Sequence, residues 1–354
     1  MRHGHGDDES PSPSLPHGLS ASANADRTTR TAGVSQRSVL VTGAAGFIGR
    51  HVARACLNAG YLVTTVDLAT PPADVCRDTT VHTGSFDDPA ILHAVDAGQF
   101  AAVVHLGAIS STVEENWQAL EQTNVTGPAA LAESCERSGT RFVYASSSSV
   151  YGEIADRRPL PESAWGSSAC SGPLNAYARS KALFDARMTT RFDVDGEPGW
   201  AGLRFTNVFG TGERHKKSMA SIIGRLLLAT ARQEPLSVFA DTLEACRDYV
   251  PVATVAQTCV LMADPAAPSG IFNLGSGHAT SFAELLRWCA EFAEAPLNVR
   301  LVPNPHIGRY QYWTCADMSA LDTALPTRPR PGPRDLRSAA HELYLHFKNA
   351  ENRS

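Results

Sequence analysis

The sequence has no Cys-x-x-Cys pair, no apolar run long enough to span a membrane, and no excess of positive charge. Its eight cysteines are scattered, so we expect small apolar core residues in a reducing compartment rather than a disulfide framework or a zinc site. A net charge of −5 and a pI near 6.2 argue against a nucleic-acid or anionic-membrane surface. These absences predict a cytoplasmic protein that binds no metal, no nucleic acid and no membrane.

Large apolar residues are also scarce at the start of the chain. Residues 1–36 are rich in Ser, Pro, Gly, Asp and His, so they have too little apolar surface to offset the entropy of ordering. We expect a disordered tail there. The remaining chain is globular in composition, and 354 residues are enough for two lobes.

A glycine-rich turn follows the first apolar strand, Val39 to Val41. Its Gly-x-x-Gly-x-x-Gly spacing lets the backbone turn tightly and approach a pyrophosphate, whose charge a helix N-terminus stabilises. About twenty residues on, a second strand ends in a carboxylate that can accept from an adenosine ribose. This combination predicts dinucleotide binding. The predicted contacts at this edge are Gly43, Gly46, Phe47, Ile48, Gly49 and Asp67.

Strands and helices alternate up to residue 210, which predicts an α/β fold with a Rossmann-type doubly wound parallel sheet. This cofactor domain is predicted over 37–210, with a returning segment near 246–275, and a smaller substrate-binding lobe mainly over 211–345. Further strands are expected at 61–66, 81–84, 100–108 and 141–147, and helices at 114–138 and 177–192. The strand at 100–108 ends in small residues that let a cofactor lie across its carboxyl end. Further cofactor contacts are therefore expected at Leu106 and Ala108.

Tyr177 and Lys181 are four residues apart on a predicted helix and so share one face. The Lys181 ammonium is expected to lower the pKa of Tyr177, which near 10 is otherwise too high for a base at neutral pH. Ser147 ends the fifth strand, at the sheet edge where ligands bind in such folds. Together with the dinucleotide turn, these three side chains predict an oxidoreductive site.

These motifs, over about 38 to 345, resemble the extended short-chain dehydrogenase/reductase family, which includes nucleotide-sugar epimerases and dehydratases. Asn124 and the segment Arg204-x-x-Asn207-Val-Phe-Gly210 also match its pattern, and the resemblance implies that Asn124 is a further cofactor contact. A narrower likeness, to the ADP-glycero-manno-heptose 6-epimerase subfamily, lies at 107–112, 215–221, 270–276 and 308–311. Ile109 stands where cysteine is expected, and Lys217 replaces a glycine.

The resemblance implies a bound NAD or NADP, with NAD favoured by Asp67, a nucleotide-sugar substrate that is ADP-heptose, and a homo-oligomer. Lys216 would be a second acid/base across the pocket, and Arg247 would contact the nucleotide diphosphate. The implied catalytic residues are Tyr177, Lys181, Ser147 and Lys216. The implied substrate contacts are Ser110, Ser111, Ser147, Asn207, Ser218, Arg247, Arg309 and Tyr310.

Other functions stay open from the sequence. One is a 4-epimerase of ADP-heptose or of another nucleotide sugar, because the carbon that is inverted is not fixed. A 4,6-dehydratase would normally carry an acidic pair where this chain has Ser148 and Ser149. A non-catalytic NAD(P)-binding sensor would be expected to lose the Tyr/Lys pair, which is intact here.

Overall fold

The computed structural model describes residues 37–154, 156–192, 199–213, 220–305, 307 and 310–352. The strands are β1 Ser38–Thr42, β2 Leu62–Asp67, β3 Thr80–Thr83, β4 Ala102–His105, β5 Arg141–Ser147, β6 Trp200–Phe205, β7 Asn207–Phe209, β8 Leu236–Phe239, β9 Cys246–Pro251, β10 Gly270–Leu274, β11 Ala279–Ser281 and β12 Val299–Val302. The α-helices are α1 Phe47–Asn58, α2 Ala73–Cys76, α3 Pro89–Asp96, α4 Trp117–Glu121, α5 Gly127–Ser138, α6 Ala176–Arg191, α7 Ile222–Ala231, α8 Val252–Met262, α9 Phe282–Ala293, α10 Ser319–Ala324 and α11 Pro333–Glu351.

Seven parallel strands form the main sheet in the order β10-β6-β5-β4-β1-β2-β3. Alternate residues of β1 pack on opposite faces: Val39 and Val41 join the core that holds α1 and α8, whereas Leu40 joins the core beneath α3, α5 and α6. Burial on both faces explains the continuous apolar run. The predicted doubly wound sheet is confirmed. The strand order reverses between β1 and β4, which opens a crevice at their carboxyl ends.

The chain beyond residue 211 forms two smaller sheets and a second core. β9 pairs with β7 and β11 in one sheet, and β8 pairs with β12 in the other. Apolar faces of α7, α9 and α11 pack together around Leu227, Phe282 and Leu343. β10, in contrast, returns to the main sheet beside β6.

Two elements differ from the sequence prediction. β4 ends at His105, so residues 106–108 form a loop rather than the end of a strand. The expected helix over 114–138 starts at Trp117, where the Asn116 side chain caps it, and contains a π-helical turn at Gln122–Thr126. Pro128 explains the turn, because it has no N–H to donate to the Asn124 carbonyl. Two short 3₁₀ helices, Ser148–Tyr151 and Glu162–Ala164, lie between β5 and α6.

The eight cysteines are all free thiols. No helix in the described ranges is long and apolar enough to cross a membrane. Across the same ranges, no group of three or more His, Cys, Asp or Glu side chains could hold a metal ion. The predicted disordered tail, residues 1–36, lies outside the described residues.

Candidate active site

A cleft of about 910 Å³ opens at the carboxyl ends of β1, β2, β4 and β5. Its volume is at the upper end of the roughly 300–1,000 Å³ that is typical of small-molecule sites. Thirteen predicted site residues line it: Gly43, Gly46, Phe47, Ile48, Gly49, Asp67, Leu106, Ala108, Ser110, Ser111, Ser147, Tyr177 and Lys181. The structure therefore brings most of the predicted cofactor contacts together with Ser147, Tyr177 and Lys181.

The three glycines of the turn have different roles. Gly43 has φ +71°, and a Cβ there would lie 2.7 Å from the Gly107 nitrogen. A Cβ on Gly49 would lie 2.0 Å from the Gly43 carbonyl oxygen. These two glycines allow close backbone packing, which a side chain would prevent. A Cβ on Gly46 would have one neighbour within 4 Å, the Gly43 oxygen at 3.0 Å, so this position leaves space for a ligand.

The glycine turn fits the pyrophosphate of a dinucleotide. Gly46 is the N-cap of α1 and provides no side-chain cap, so the positive end of the helix dipole meets the cleft. Asp67 closes the turn from the other side: its carboxylate accepts from the Ala45 N–H at 2.9 Å and from the Ala69 N–H at 3.1 Å. The carboxylate is thereby fixed at the end of β2, where it can accept from ribose hydroxyls.

Thr42, which the sequence analysis did not single out, anchors the loop after β4. Its hydroxyl accepts from the Leu106 and Gly107 N–H groups, both at 3.1 Å, and so donates its hydrogen to His105 Nδ1 at 2.9 Å. Burial, and then the charge of Lys181, lower the pKa of His105 to about 3. The ring is therefore neutral at physiological pH, and it serves to hold Thr42 in place.

Asn124 is placed differently from the prediction. Its side chain does not line the cleft; its Oδ1 accepts from the Ile109 N–H, and its Nδ2 donates to the Ile109 carbonyl and the Ser180 hydroxyl, each at 2.9 Å. Ser180 in turn donates to the Tyr177 carbonyl at 2.7 Å. The π-helical turn thus carries a residue that ties the β4 loop to α6, and Asn124 acts on the site through its neighbours.

Ser147, predicted to be catalytic, is oriented by Ser149, to which the sequence analysis assigned no role at the site. Ser147 Oγ accepts from Ser149 Oγ at 2.8 Å and from the Ser149 N–H at 3.2 Å. These two bonds leave the Ser147 hydrogen for Tyr177 or for a substrate oxygen. Ser149 therefore fixes the direction in which Ser147 can donate.

The pKa of Tyr177 differs from the sequence expectation. Burial raises it above its usual value near 10, whereas the hydrogen bond with Ser147 lowers it and the charge of Asp185 raises it further. Desolvation outweighs any effect of the Tyr-x-x-x-Lys spacing, because taking the phenolate out of water costs more than a neighbouring cation returns. In the free protein Tyr177 thus keeps its proton at neutral pH.

Lys181 is 5% exposed, and its Nζ donates to the Ala145 carbonyl at 2.8 Å. Burial lowers its pKa from 10.5 to about 8, against the negative charge of Asp185, which raises it. The ammonium is therefore protonated at neutral pH but close to losing its proton.

Three predicted substrate contacts do not line this cleft: Asn207, Arg247 and Tyr310. Arg247 is 8% exposed, and its guanidinium lies 5.0 Å from the ring centre of Tyr310 and 5.7 Å from that of Phe282. Asn207 donates from Nδ2 to the Asp248 carbonyl at 3.1 Å, which makes it part of the β7–β9 connection. The remaining predicted contacts, Lys216, Ser218 and Arg309, lie outside the described residues.

Asp248, the neighbour of Arg247, is a buried acceptor that the sequence analysis missed. Its Oδ1 accepts from the N–H and hydroxyl of Ser276, both at 2.7 Å, and its Oδ2 accepts from the N–H groups of Ala316 at 3.0 Å and Gly277 at 3.1 Å. Burial nonetheless raises its pKa. Successive residues of β9 point to opposite faces, so Asp248 holds the lobe together while Arg247 faces the other side.

Similar proteins are nucleotide-sugar epimerases. The chain is 32% identical over 322 residues to ADP-L-glycero-D-manno-heptose-6-epimerase of Cupriavidus pinatubonensis, covering 82% of this chain and 94% of that one. The structure of the enzyme of that name from Helicobacter pylori is 24% identical, with a TM-score of 0.76 over 88% of this chain and 96% of that one, which supports the fold. The NAD complex of Thermus thermophilus UDP-glucose 4-epimerase is 26% identical, with a TM-score of 0.73 over 88% and 99%.

The family match covers the dinucleotide turn, the Tyr/Lys pair and the returning strand β10. Residues 39–275 match the NAD dependent epimerase/dehydratase family, which is more than half of the chain. The resemblance stated from the sequence is confirmed, and so is NAD as the cofactor class. The chain belongs to the NAD-dependent epimerase/dehydratase family.

Proposed function

We propose that this chain is an NAD-dependent epimerase of a nucleotide-activated sugar and that its substrate is ADP-glycero-manno-heptose. The observation that carries the proposal is the meeting of Ser147, Tyr177 and Lys181 with the glycine turn in one cleft. The relatives named ADP-L-glycero-D-manno-heptose-6-epimerase support the choice of sugar.

When bound, NAD would accept a hydride from a sugar carbon and return it to the opposite face. The chain's own residues would handle the proton. Tyr177 removes the hydroxyl proton on one side, and Ser147, oriented by Ser149, donates a hydrogen bond to the reacting oxygen. Because burial holds the proton on Tyr177, proton transfer would await a substrate hydroxyl bonded to it. We propose that the charge of Lys181, four residues on along α6, then stabilises the phenolate.

An exocyclic carbon must present both faces, which favours a second acid/base opposite Tyr177. The resemblance assigns this role to Lys216, whose ammonium needs a pKa below its usual 10.4 to act as a base. A ring 4-epimerase, in contrast, would turn the keto sugar in the pocket and use Tyr177 for both faces. Lys216 therefore separates the two candidate reactions.

Arg247 is our candidate for the diphosphate contact, with Tyr310 beside it. Its guanidinium is nearly buried between two aromatic rings and donates to the Cys246 carbonyl at 3.0 Å. Within the described part of the chain it forms no ion pair, so its charge is available to phosphate oxygens. We further propose that Ser110, Ser111, Asn207, Ser218 and Arg309 contribute to the substrate site and that the enzyme is a homo-oligomer.

The test uses ADP-heptose with NMR readout of side-chain and ring stereochemistry. We expect inversion at the exocyclic carbon, loss of turnover in Tyr177→Phe, and a fall in kcat by orders of magnitude in Lys216→Met with cofactor binding intact. Lys217→Met is the matched control for loss of a lysine at the adjacent position. A near-normal kcat with a raised KM in Lys216→Met would remove this residue from catalysis and favour the ring epimerase. No inversion at either carbon would refute the proposed substrate.

A further inference from the structure

Asp185 lies one helical turn beyond Lys181 on α6, fully buried behind the cleft. Its Oδ1 accepts from the Tyr144 hydroxyl at 3.1 Å, and its Oδ2 accepts from the Ser146 hydroxyl and from Arg204 Nε, each at 2.9 Å. The carboxylate therefore joins α6 to β5 and β6. No role has been given to it so far.

Arg204 extends this contact to two further segments. Its Nη1 donates to the Tyr151 hydroxyl at 3.0 Å and to the Glu162 carbonyl at 3.1 Å. Arg204 and Asp185 form an ion pair in which the side chain of Arg204 is 2% exposed and that of Asp185 is 0% exposed. Buried ion pairs of this kind add little net stability, because desolvation offsets most of the attraction. Stability alone thus gives a weak reason for two charges at this position.

The place where Asp185 meets β5 gives a stronger reason. Ser146 stands between Ala145, whose carbonyl accepts from Lys181, and Ser147, which bonds to Tyr177. By holding Ser146, the Asp185 carboxylate fixes the strand end on which both catalytic contacts depend. It also places a negative charge one helical turn from the Lys181 ammonium, which is itself only 5% exposed.

We infer that Asp185 is a positioning residue that keeps Lys181 protonated and aligned with Tyr177. The inference rests on the proposed function for its catalytic consequence, whereas the protonation of Lys181 can be measured without substrate. Burial alone lowers the pKa of Lys181, and the Asp185 charge opposes that effect. Without this charge the lysine would be neutral over much of the neutral range, and it could no longer stabilise a Tyr177 phenolate.

Other charged and titratable groups also face α6 or the Lys181 side chain, and they define what else could act on it. They are His105 from β4, Glu121 from α4, Glu133 and Glu136 from α5, Tyr144 from β5, Tyr151 from the 3₁₀ turn, Arg204 from β6, and Tyr177 and Arg179 from α6 itself. Glu133 and Glu136 are paired with Arg187 and Arg191 at the exposed end of the helix. Asp185 is thus the buried carboxylate of this set.

The chain makes a direct measurement practical because it has four lysines: Lys181, Lys216, Lys217 and Lys348. Incorporating [ε-¹³C]lysine gives four signals, and the spectrum of Lys181→Met assigns the one of interest. Its pH titration reports the pKa of Lys181 in the wild type, in Asp185→Asn, and in Tyr144→Phe. Tyr144→Phe is the matched control, because it removes a hydrogen bond to Asp185 without changing any charge.

We expect Lys181 in Asp185→Asn to titrate about one pH unit or more below its wild-type value, as is typical for loss of a neighbouring opposite charge. At pH 8 its protonated fraction would fall from about half to about a tenth. The alkaline limb of the kcat profile should move to lower pH by the same amount. Tyr144→Phe should leave the Lys181 titration in place.

A second variant covers the case in which Asp185→Asn does not fold, since it leaves the Arg204 charge unpaired. Asp185→Asn/Arg204→Met removes both charges, and it should lower the pKa of Lys181 as well. An unchanged Lys181 titration in either Asp185 variant would overturn the inference, and so would an equal displacement in Tyr144→Phe. A displaced titration without epimerase activity would uphold the inference and count against the proposed substrate alone.

Discussion

Lys181 should make the folded protein less stable at neutral pH than a variant without it. The pKa of this lysine falls from 10.5 to about 8 on folding. Between these two values the unfolded chain binds more protons, so the wild-type free energy of unfolding rises with pH over that window. At about 1.4 kcal/mol per pKa unit, the buried ammonium costs about 3 kcal/mol at pH 7.

Lys181→Met tests this cost, because methionine has a similar length and no charge. Losing the bond to the Ala145 carbonyl changes stability by an amount that does not depend on pH. The pH-dependent part is therefore specific: the advantage of Lys181→Met over wild type should shrink by about 2–3 kcal/mol between pH 7 and pH 10. Urea unfolding at pH 7, 8, 9 and 10 measures it, with Lys348→Met, an exposed lysine on α11, as the control.

A difference between Lys181→Met and wild type that stays constant over this range would refute the reasoning. It would show that the ammonium is not desolvated in the folded state. A difference that grows with pH would require a partner that raises the pKa of Lys181 above 10.5. In either case the explanation of how Lys181 supports Tyr177 would have to change.

Two further predictions concern the cleft. Gly46→Ala should fold normally but lose at least tenfold in NAD affinity by calorimetry, because its Cβ enters ligand space. Gly49→Ala should instead lower Tm markedly, since its Cβ would lie 2.0 Å from the Gly43 oxygen. Equal NAD affinity in Gly46→Ala and in the wild type would contradict this prediction. Ser149→Ala should lower kcat about 5- to 30-fold at unchanged KM, in line with one lost hydrogen bond of about 1–2 kcal/mol. The control variant Ser148→Ala should leave kcat unchanged. An identical kcat in both serine variants would show that Ser149 does not orient Ser147.

The main sheet and most of the cleft followed from local sequence patterns. The apolar run at Val39–Val41 and the glycine spacing each specify a backbone shape by themselves, so β1, the turn and α1 were predicted at their observed places. Signals of this kind depend on neighbours along the chain.

The structure differs from the sequence predictions where contacts between residues far apart in the chain determine the environment of a side chain. Asn124 was predicted to contact the cofactor, but its amide is taken up by Ile109 and Ser180, which no spacing reveals. The pKa of Tyr177 depends on how deeply the folded chain buries it. No sequence motif indicated the role of Asp248, because the donors to its carboxylate come from residues 206, 276, 277 and 316.

The return of β10 to the edge of the main sheet has a consequence for synthesis of the protein. β6 ends at Phe205, yet its partner strand β10 spans Gly270–Leu274, so about 65 residues must be translated between them. Until then β6 is an edge strand with a bare row of backbone donors and acceptors, which invites pairing with another nascent chain. A polypeptide whose synthesis ends within β8 or β9 would therefore keep β6 as an unpaired edge strand. The main sheet is therefore completed only after β7, β8 and β9 have been made.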